Sequence, residues 1–313
     1  MPAAALTRVP VYHLIASRAA VENATWKDAR LSWNENSRSE YRYTGTMVYD
    51  GVVYDHVPFR ARGGMWRHAM GKNMWKFNFN SGHRLAARDN YGQPYAAKWD
   101  KLNLGACIQQ GDYGMRGEHG MFDALSYRLF NLAGVEAPRT HWIQLRIVSG
   151  AEEAPADQYS GDFWGLYLAT EEVDGGFLKE HQLPDGNIYK IDGYSPNPKH
   201  LARGGATNLA DARAFLRDLS THPGGLAPLG QDNWWRASVD LPRYYSYRAV
   251  LEGVHHYDLD AGKNYFFFHN LTAKRWQVIP WDVDLTWGER MFGEGNEPFF
   301  QPVLQSSPVL RGE

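Results

Sequence analysis

The sequence predicts an α+β fold in two parts: a strand-dominated part over residues 9–191 and a more helical part over residues 192–313. Three observations carry this expectation. Apolar and polar residues alternate at period two through much of the first 110 positions, one stretch near residue 120 switches to helical period, and a turn-rich break near residue 192 precedes further helical patterns.

Taken in order, residues 9–15 read as a strand beginning almost at once. The segments YRYTGTMVY and VVYDHVPFRAR flank Asp50-Gly51, a pair suited to the positive-φ turn that joins two twisted antiparallel strands. MWKFNFN adds a further strand. Over residues 118–133, Met121, Phe122, Leu125, Leu129 and Leu132 recur at three- and four-residue steps, which predicts a helix buried along that stripe and ended by Gly134 and Pro138. Strands resume in THWIQLRIV and FWGLYLAT, joined by the loop SGAEEAPADQYSGD, and continue in NIYKI. GYSPNPKHLARGGATN and THPGGLAPLGQDN read as loops. Thr207 or Asn208 caps a helix carrying Ala212, Phe215, Leu216 and Leu219, and Asp240 with Pro242 opens another through Tyr245, Leu251 and Val254. A hairpin of NYFFFHN and RWQVIPWD around LTAK closes the series.

With 313 residues, 43% hydrophobic and only 22% charged, the chain can enclose a substantial core and is far from the composition of disordered proteins. Lysine plus arginine (33) nearly balances aspartate plus glutamate (35), so no chain-wide charge recommends nucleic acid or anionic lipid as a partner. The single cysteine, Cys107, excludes an internal disulfide and reads as a small buried hydrophobe. Twelve tryptophans point first to core packing and only second to sugar binding. No apolar run reaches the length of a membrane span, and the first residues lack the pattern of an export signal. Both ends read as cut, the mark of a domain from a longer protein.

The chemically informative stretch runs from His255 to Gly288. Asp258 follows a helix, Asn264 starts a strand, and Asp282 ends the next one. Such a set suits phosphoryl transfer, where one carboxylate takes the proton of the attacking hydroxyl while an amide oxygen and a second carboxylate hold Mg²⁺ against the nucleotide phosphates. The protein-kinase pattern places four residues between the Asp and the Asn, whereas five intervene here. A zinc site built on His255 and His256 is disfavoured because adjacent histidines point to different faces. A sugar hydrolase using Asp258 and Asp282 would leave Asn264 and the lysines without a role.

The sequence also resembles the CotH (spore-coat protein H) kinase-like family, which has a reduced protein-kinase fold. The resemblance rests on collinear segments: VVYDHVPFRARGG with Arg60, Arg62 and Gly63, the lysine-bearing GKNMWKFNF, FDALSYRLFNLAGVEAP, GLYLATEEVDGGFL with Glu171, the Asp258 and Asn264 segment, and IPWDVDLTWG. It implies a bilobal, kinase-like architecture with a sheet-rich first lobe and a helix-rich second, and transfer of the ATP γ-phosphoryl group to Ser or Thr of a protein substrate. Asp258 then matches the catalytic aspartate and Asp282, with Asn264, the metal ligands. Lys72 or Lys76 would grip the phosphates, and Glu171 would pair with that lysine or contact the nucleotide. Gly64, Met65 and Trp66 replace the family's small hydroxyl residues after Arg-x-Arg-Gly, and no GxGxxG loop is present. The rival reading within the family is a surface binding or structural module. Analogy places the chain in a spore coat, a cell envelope or outside the cell.

Overall fold

A computed structural model describes residues 9–25, 42–63, 72–107, 120–150, 162–192, 195–221, 231–256, 258–259 and 263–287. The fold is mixed α+β and divides into two compact units, one of Met1–Ala124 with Arg139–Glu172, the other of Leu125–Pro138 with Val173–Glu313.

The first unit is a closed barrel of seven strands. In chain order its elements are β1 (Val11–Ile15), α1 (Arg18–Thr25), β2 (Tyr43–Tyr49), β3 (Val52–Arg62), β4 (Met74–Asn78), β5 (Lys101–Gly105) and, after the helix α2 (Met121–Leu132), β6 (Thr140–Val148) and β7 (Phe163–Glu171). The strand order is β1-β2-β3-β4-β5-β7-β6, closed by a parallel pairing of β1 with β6 that sets Val11 opposite Gln144 and Ile15 opposite Val148. The expected hairpin of β2 and β3 forms around Asp50 and Gly51, both at positive φ. The β2–β3 pairing shifts register between Gly45 and Met47, and any side chain at Gly45 would collide with the Ile15 carbonyl and Leu14.

Period-two alternation fills the barrel. Phe59 and Ala61 of β3, Trp75 and Phe77 of β4, Leu102 and Leu104 of β5, and Ile143 and Leu145 of β6 are fully buried, and all but Ala61 join one core cluster with Tyr12, Leu14, Met47 and Tyr167. A barrel of this size is packed with side chains rather than hollow. The intervening residues, including Arg60, Arg62 and Lys76, therefore stand on its outer face.

The second unit is built on a four-stranded antiparallel sheet. It adds α3 (Gly175–Glu180), β8 (Gly186–Asp192), β9 (Ser195–His200), α4 (Ala210–Thr221), α5 (Gln231–Ser238), α6 (Leu241–Gly253), β10 (Tyr265–Asn270) and β11 (Arg275–Pro280), with strand order β11-β10-β8-β9. One core joins Tyr127 and Phe130 of α2 with Phe215, Trp235, Tyr244, Tyr247, Phe267 and Trp276. A second joins Phe177 and Leu178 of α3 with Ile188, Phe266, Phe268 and Ile279. Both faces of β10 are thus covered, which is why YFFF is a continuous apolar run.

Local signals explain the helix ends. The Asp240 carboxylate accepts the Arg243 amide N–H at 3.4 Å, and Pro242 occupies the first turn of α6. The Asn208 side chain accepts the Ala210 N–H at 3.1 Å before α4. Gly134, at φ 78°, ends α2 while the Val135 N–H reaches back to the Phe130 carbonyl at 2.9 Å.

Three expectations need correction. The stripe Met121, Leu125, Leu129 and Leu132 is exposed, because α2 turns Ala124, Ser126, Tyr127 and Phe130 inward instead. Its aromatic side, not its leucine side, meets the core. The loop expected at residues 193–208 contains strand β9, which tolerates Pro196 and Pro198 because it lies at the sheet edge. The strands expected over residues 9–191 do not all stay together: NIYKI joins the second unit's sheet as β8, and the others close with β5 into a barrel. Trp75, Trp99, Trp235 and Trp276 are buried, which accounts for part of the tryptophan content by packing.

Candidate active site

The end of α6 starts the first cluster. His255 lies in the left-handed region at φ 53°, and the His256 N–H bonds back to the Leu251 carbonyl at 3.2 Å, so a histidine fills the helix-ending position that glycine usually takes. The turn drives the His256 ring into the interior, where it is 1% exposed. Its Nε2 lies 3.2 Å from the Asp282 carbonyl oxygen, an acceptor, so the proton sits on Nε2. Burial lowers the His256 pKa to about 4 against the opposing pull of Asp258 and the Asp282 carbonyl, keeping the ring neutral at neutral pH. His256 thus acts as a buried donor to Asp282, a role the sequence offered no reason to assign.

Two residues further on, the Asp258 carboxylate is held by Asn264. The Asn264 amide nitrogen donates to Asp258 Oδ2 at 2.8 Å and to the Asp258 carbonyl at 2.7 Å. Lys263 donates to the other carboxylate oxygen, Oδ1.

The hairpin of β10 and β11 brings the third residue in. Tyr265 pairs with Pro280, and the Trp281 N–H donates to the Asn264 carbonyl at 3.2 Å, one step beyond the ladder. Asp282 follows at once, its N–H donating to the Tyr127 hydroxyl at 3.0 Å. Asn264 (φ 67°) and Asp282 (φ 54°) are both left-handed, as are His255 and Trp287. Each such non-glycine position costs roughly 1 kcal/mol or more and persists only where surrounding bonds impose it. Here they do: Trp287 bonds through its N–H to the Val254 carbonyl and through its indole N–H to Ser126 at 3.0 Å.

The first unit holds a separate cluster of its own. Lys76 of β4 donates to both carboxylate oxygens of Glu172, each at 2.7 Å. Its cross-strand neighbour Asn103 donates to the same carboxylate at 2.7 Å. Burial alone would raise the Glu172 carboxyl, but the Lys76 ammonium and the Asn103 amide overcome it and hold the group at about 2. Lys72 is placed differently. Its ammonium donates to the Leu166 carbonyl and lies 4.1 Å from the centre of the Tyr167 ring. Glu171, 2% exposed, accepts the Arg139 N–H at 3.0 Å. The acidic partner of Lys76 is therefore Glu172, one residue beyond the glutamate to which the family resemblance pointed. Burial pushes the Cys107 thiol up to about 12, against the pull of Lys72.

The family model described as CotH kinase protein matches residues 59–307. The chain belongs to the CotH family. The match includes Lys72, Lys76, Glu171, Asp258, Asn264 and Asp282, and begins only within β3. A curated relative, the inner spore coat protein H of Bacillus subtilis (strain 168), is 22% identical over 187 residues, which is 56% of this chain and 48% of that protein. The aligned part thus spans about half the length of the CotH relative. Gly64, Met65 and Trp66, which follow the Arg60-to-Gly63 segment, lie outside the described residues.

Proposed function

We propose that the chain is a Mg²⁺- and ATP-dependent protein Ser/Thr kinase with a reduced, bilobal kinase-type architecture. The observation that carries this reading is that Asp258, Asn264 and Asp282, separated in sequence, are joined by one set of hydrogen bonds through Asn264, His256 and the Trp281 amide. Membership of the CotH family supports it.

Mg²⁺ suits this donor set. It takes oxygen ligands, retains waters and is usually held by one or two carboxylates together with substrate phosphate. Asp282 offers an exposed carboxylate. Asn264, whose amide nitrogen is spent on Asp258, offers its Oδ1. Among the described residues no three His, Cys, Asp or Glu side chains form a metal cage, and this ion needs none. When bound, it supplies positive charge against the nucleotide phosphates.

The residues of the chain do the rest. Asp258, fixed by Asn264, accepts the proton of the attacking serine or threonine hydroxyl. His256 and Tyr127 hold the Asp282 backbone on either side of its α-carbon. Lys76, oriented by Glu172, is the cation for the α- and β-phosphates, the part that a lysine-glutamate pair plays in kinases generally. By analogy with the spore-coat relative, the chain acts in a spore coat.

Transfer of radiolabelled phosphate from ATP to Ser-rich acceptor proteins, with self-phosphorylation as control, tests the reading. Asp258→Asn should abolish transfer and spare ATP binding, whereas Asp282→Ala should weaken Mg²⁺-dependent nucleotide binding as well. Parent-like transfer by both variants would overturn it.

A further inference from the structure

One end of the barrel forms a mouth. β1 and β6 run parallel and finish there at Ile15 and Val148, while β7, antiparallel to β6, begins there at Phe163. Helix α1 follows β1 directly. Ser17 caps it, its hydroxyl accepting the Ala20 N–H at 3.2 Å, and Val21 and Ala24 turn into the barrel core. Other residues of the helix line a cavity of about 480 Å³. That is within the size range of small-molecule sites, for which the mouths of β-barrels are a favoured place.

The lining is unlike the barrel interior. Trp164 of β7 supplies an aromatic wall: half-buried, it meets Trp75 of the core edge-on, with ring centroids 5.7 Å apart and planes at 69°. Around it stand Arg18 and Glu22 of α1, Asn73 just before β4 and Ser149 just after β6. None of these four polar side chains has a hydrogen-bond or ion-pair partner among the described residues. The Thr25 hydroxyl, by contrast, is spent on the Val21 and Glu22 carbonyls, each at 3.0 Å. Arg18 and Glu22 are one helical turn apart, the spacing at which opposite charges ordinarily pair, yet they leave each other free. The guanidinium leans towards the end of β6, where a Cβ placed on Gly150 would lie 3.7 Å from Arg18 Nη2.

We propose that this barrel mouth is a carbohydrate site, which takes a neutral hexose unit with its ring face on Trp164 and its hydroxyls shared among Arg18, Glu22, Asn73 and Ser149.

The donor and acceptor chemistry selects that class of ligand. Arg18 only donates, an ionised Glu22 only accepts, and Asn73 and Ser149 do both. A ring bearing several hydroxyls, each a donor and an acceptor, satisfies all four at once. Phosphate would face Glu22 as a like charge, and a simple ammonium would face Arg18 in the same way. An apolar ligand would strip water from four polar groups and return no bonds. The face of an indole carries negative potential and is complementary to the C–H groups of a sugar ring, while its large apolar area is removed from water by the contact. The site draws on none of the residues assigned to phosphate transfer, so it stands apart from the kinase reading.

Titration calorimetry of the full chain with glucose, galactose, N-acetylglucosamine, cellobiose, lactose and chitobiose tests this. Glycine serves as a zwitterionic probe and inorganic phosphate as an anionic one. At least one sugar should bind with a Kd of about 1 mM or below. Arg18→Gln and Glu22→Gln lie at exposed positions. Each should weaken that binding by about tenfold, as for loss of one charge-assisted hydrogen bond, with the melting temperature unchanged. Trp164→Ala should abolish it, and a melting curve of that variant separates loss of the wall from loss of the fold. Failure of every sugar to bind the parent, tighter binding of glycine or phosphate, or sugar binding indifferent to both Arg18→Gln and Glu22→Gln overturns the proposal.

Discussion

Glu172→Gln isolates the pair formed with Lys76 on the outer face of the barrel. The substitution keeps shape and hydrogen-bonding groups but removes the charge, leaving an ammonium whose side chain is only 16% exposed. Two routes give the magnitude. The Glu172 carboxyl falls from an ordinary 4.5 to about 2, which at about 1.4 kcal/mol per unit is about 3–4 kcal/mol. Breaking a buried pair by removing one partner costs about 3–5 kcal/mol. Burial also draws the Lys76 ammonium down, returning part of this gain, so the pair is counted once and about 3 kcal/mol is the expected loss. In a unit of this size that is a fall of about 6–12 °C in Tm. The sign with pH is fixed by the depressed carboxyl. Its contribution is fully present above pH 4.5 and disappears as pH falls towards 2. Urea unfolding of parent and variant from pH 7 to pH 2.5 should therefore give curves that converge in acid. A gap below about 1 kcal/mol at pH 7, or one that stays constant down to pH 2.5, would refute the argument.

Lys76→Met should abolish ATP binding by titration calorimetry while Lys72→Met leaves it nearly unchanged, because only Lys76 has the carboxylate partner; equal losses would show that the ion pair does not distinguish them. His141, buried against Tyr12 and Tyr95, has its pKa driven by burial from 6.5 to about 3. The barrel should therefore lose stability as pH falls from 6.5 towards 3, by up to about 1.4 kcal/mol per pH unit, and His141→Gln should flatten that slope in urea midpoints. Gly134→Ala places a Cβ in open space but at φ 78°, so it should cost about 1 kcal/mol by thermal unfolding through backbone strain alone. His256→Ala strips the Asp282 carbonyl of its donor and opens a cavity; a stability loss of about 2–3 kcal/mol, with reduced phosphate transfer, is expected from melting and turnover measurements.

Local chemistry carried much of the architecture. Asp50-Gly51 announced the turn of β2 and β3, Asp240 with Pro242 the start of α6, and NYFFFHN and RWQVIPWD the hairpin of β10 and β11. Barrel closure was not legible, since β1 and β6 are parallel partners roughly 130 positions apart and nothing in either strand names the other. The α2 stripe was misread because leucine spacing reports amphipathicity but not which face the tertiary structure covers; Tyr127 and Phe130 prevailed. Adjacent glutamates at positions 171 and 172 posed a parity problem that only the barrel resolves, one binding the Arg139 amide and the other Lys76. The proximity of Asn264 to Asp282 was foreshadowed by the hairpin between them. The part of His256 depends on a left-handed His255, which no composition rule anticipates.

The family match begins at Phe59, after β1, β2 and most of β3 have been made. A shortened chain started there would lose both strands that seal the cylinder, β1 from its seam with β6 and β2 from beside β3. Two raw edges, one on each flank of the remaining strands, would then offer unsatisfied amides and carbonyls to any passing chain. Such a fragment should associate through those flanks, so recombinant work on this family is best served by retaining the residues that precede the recognised domain.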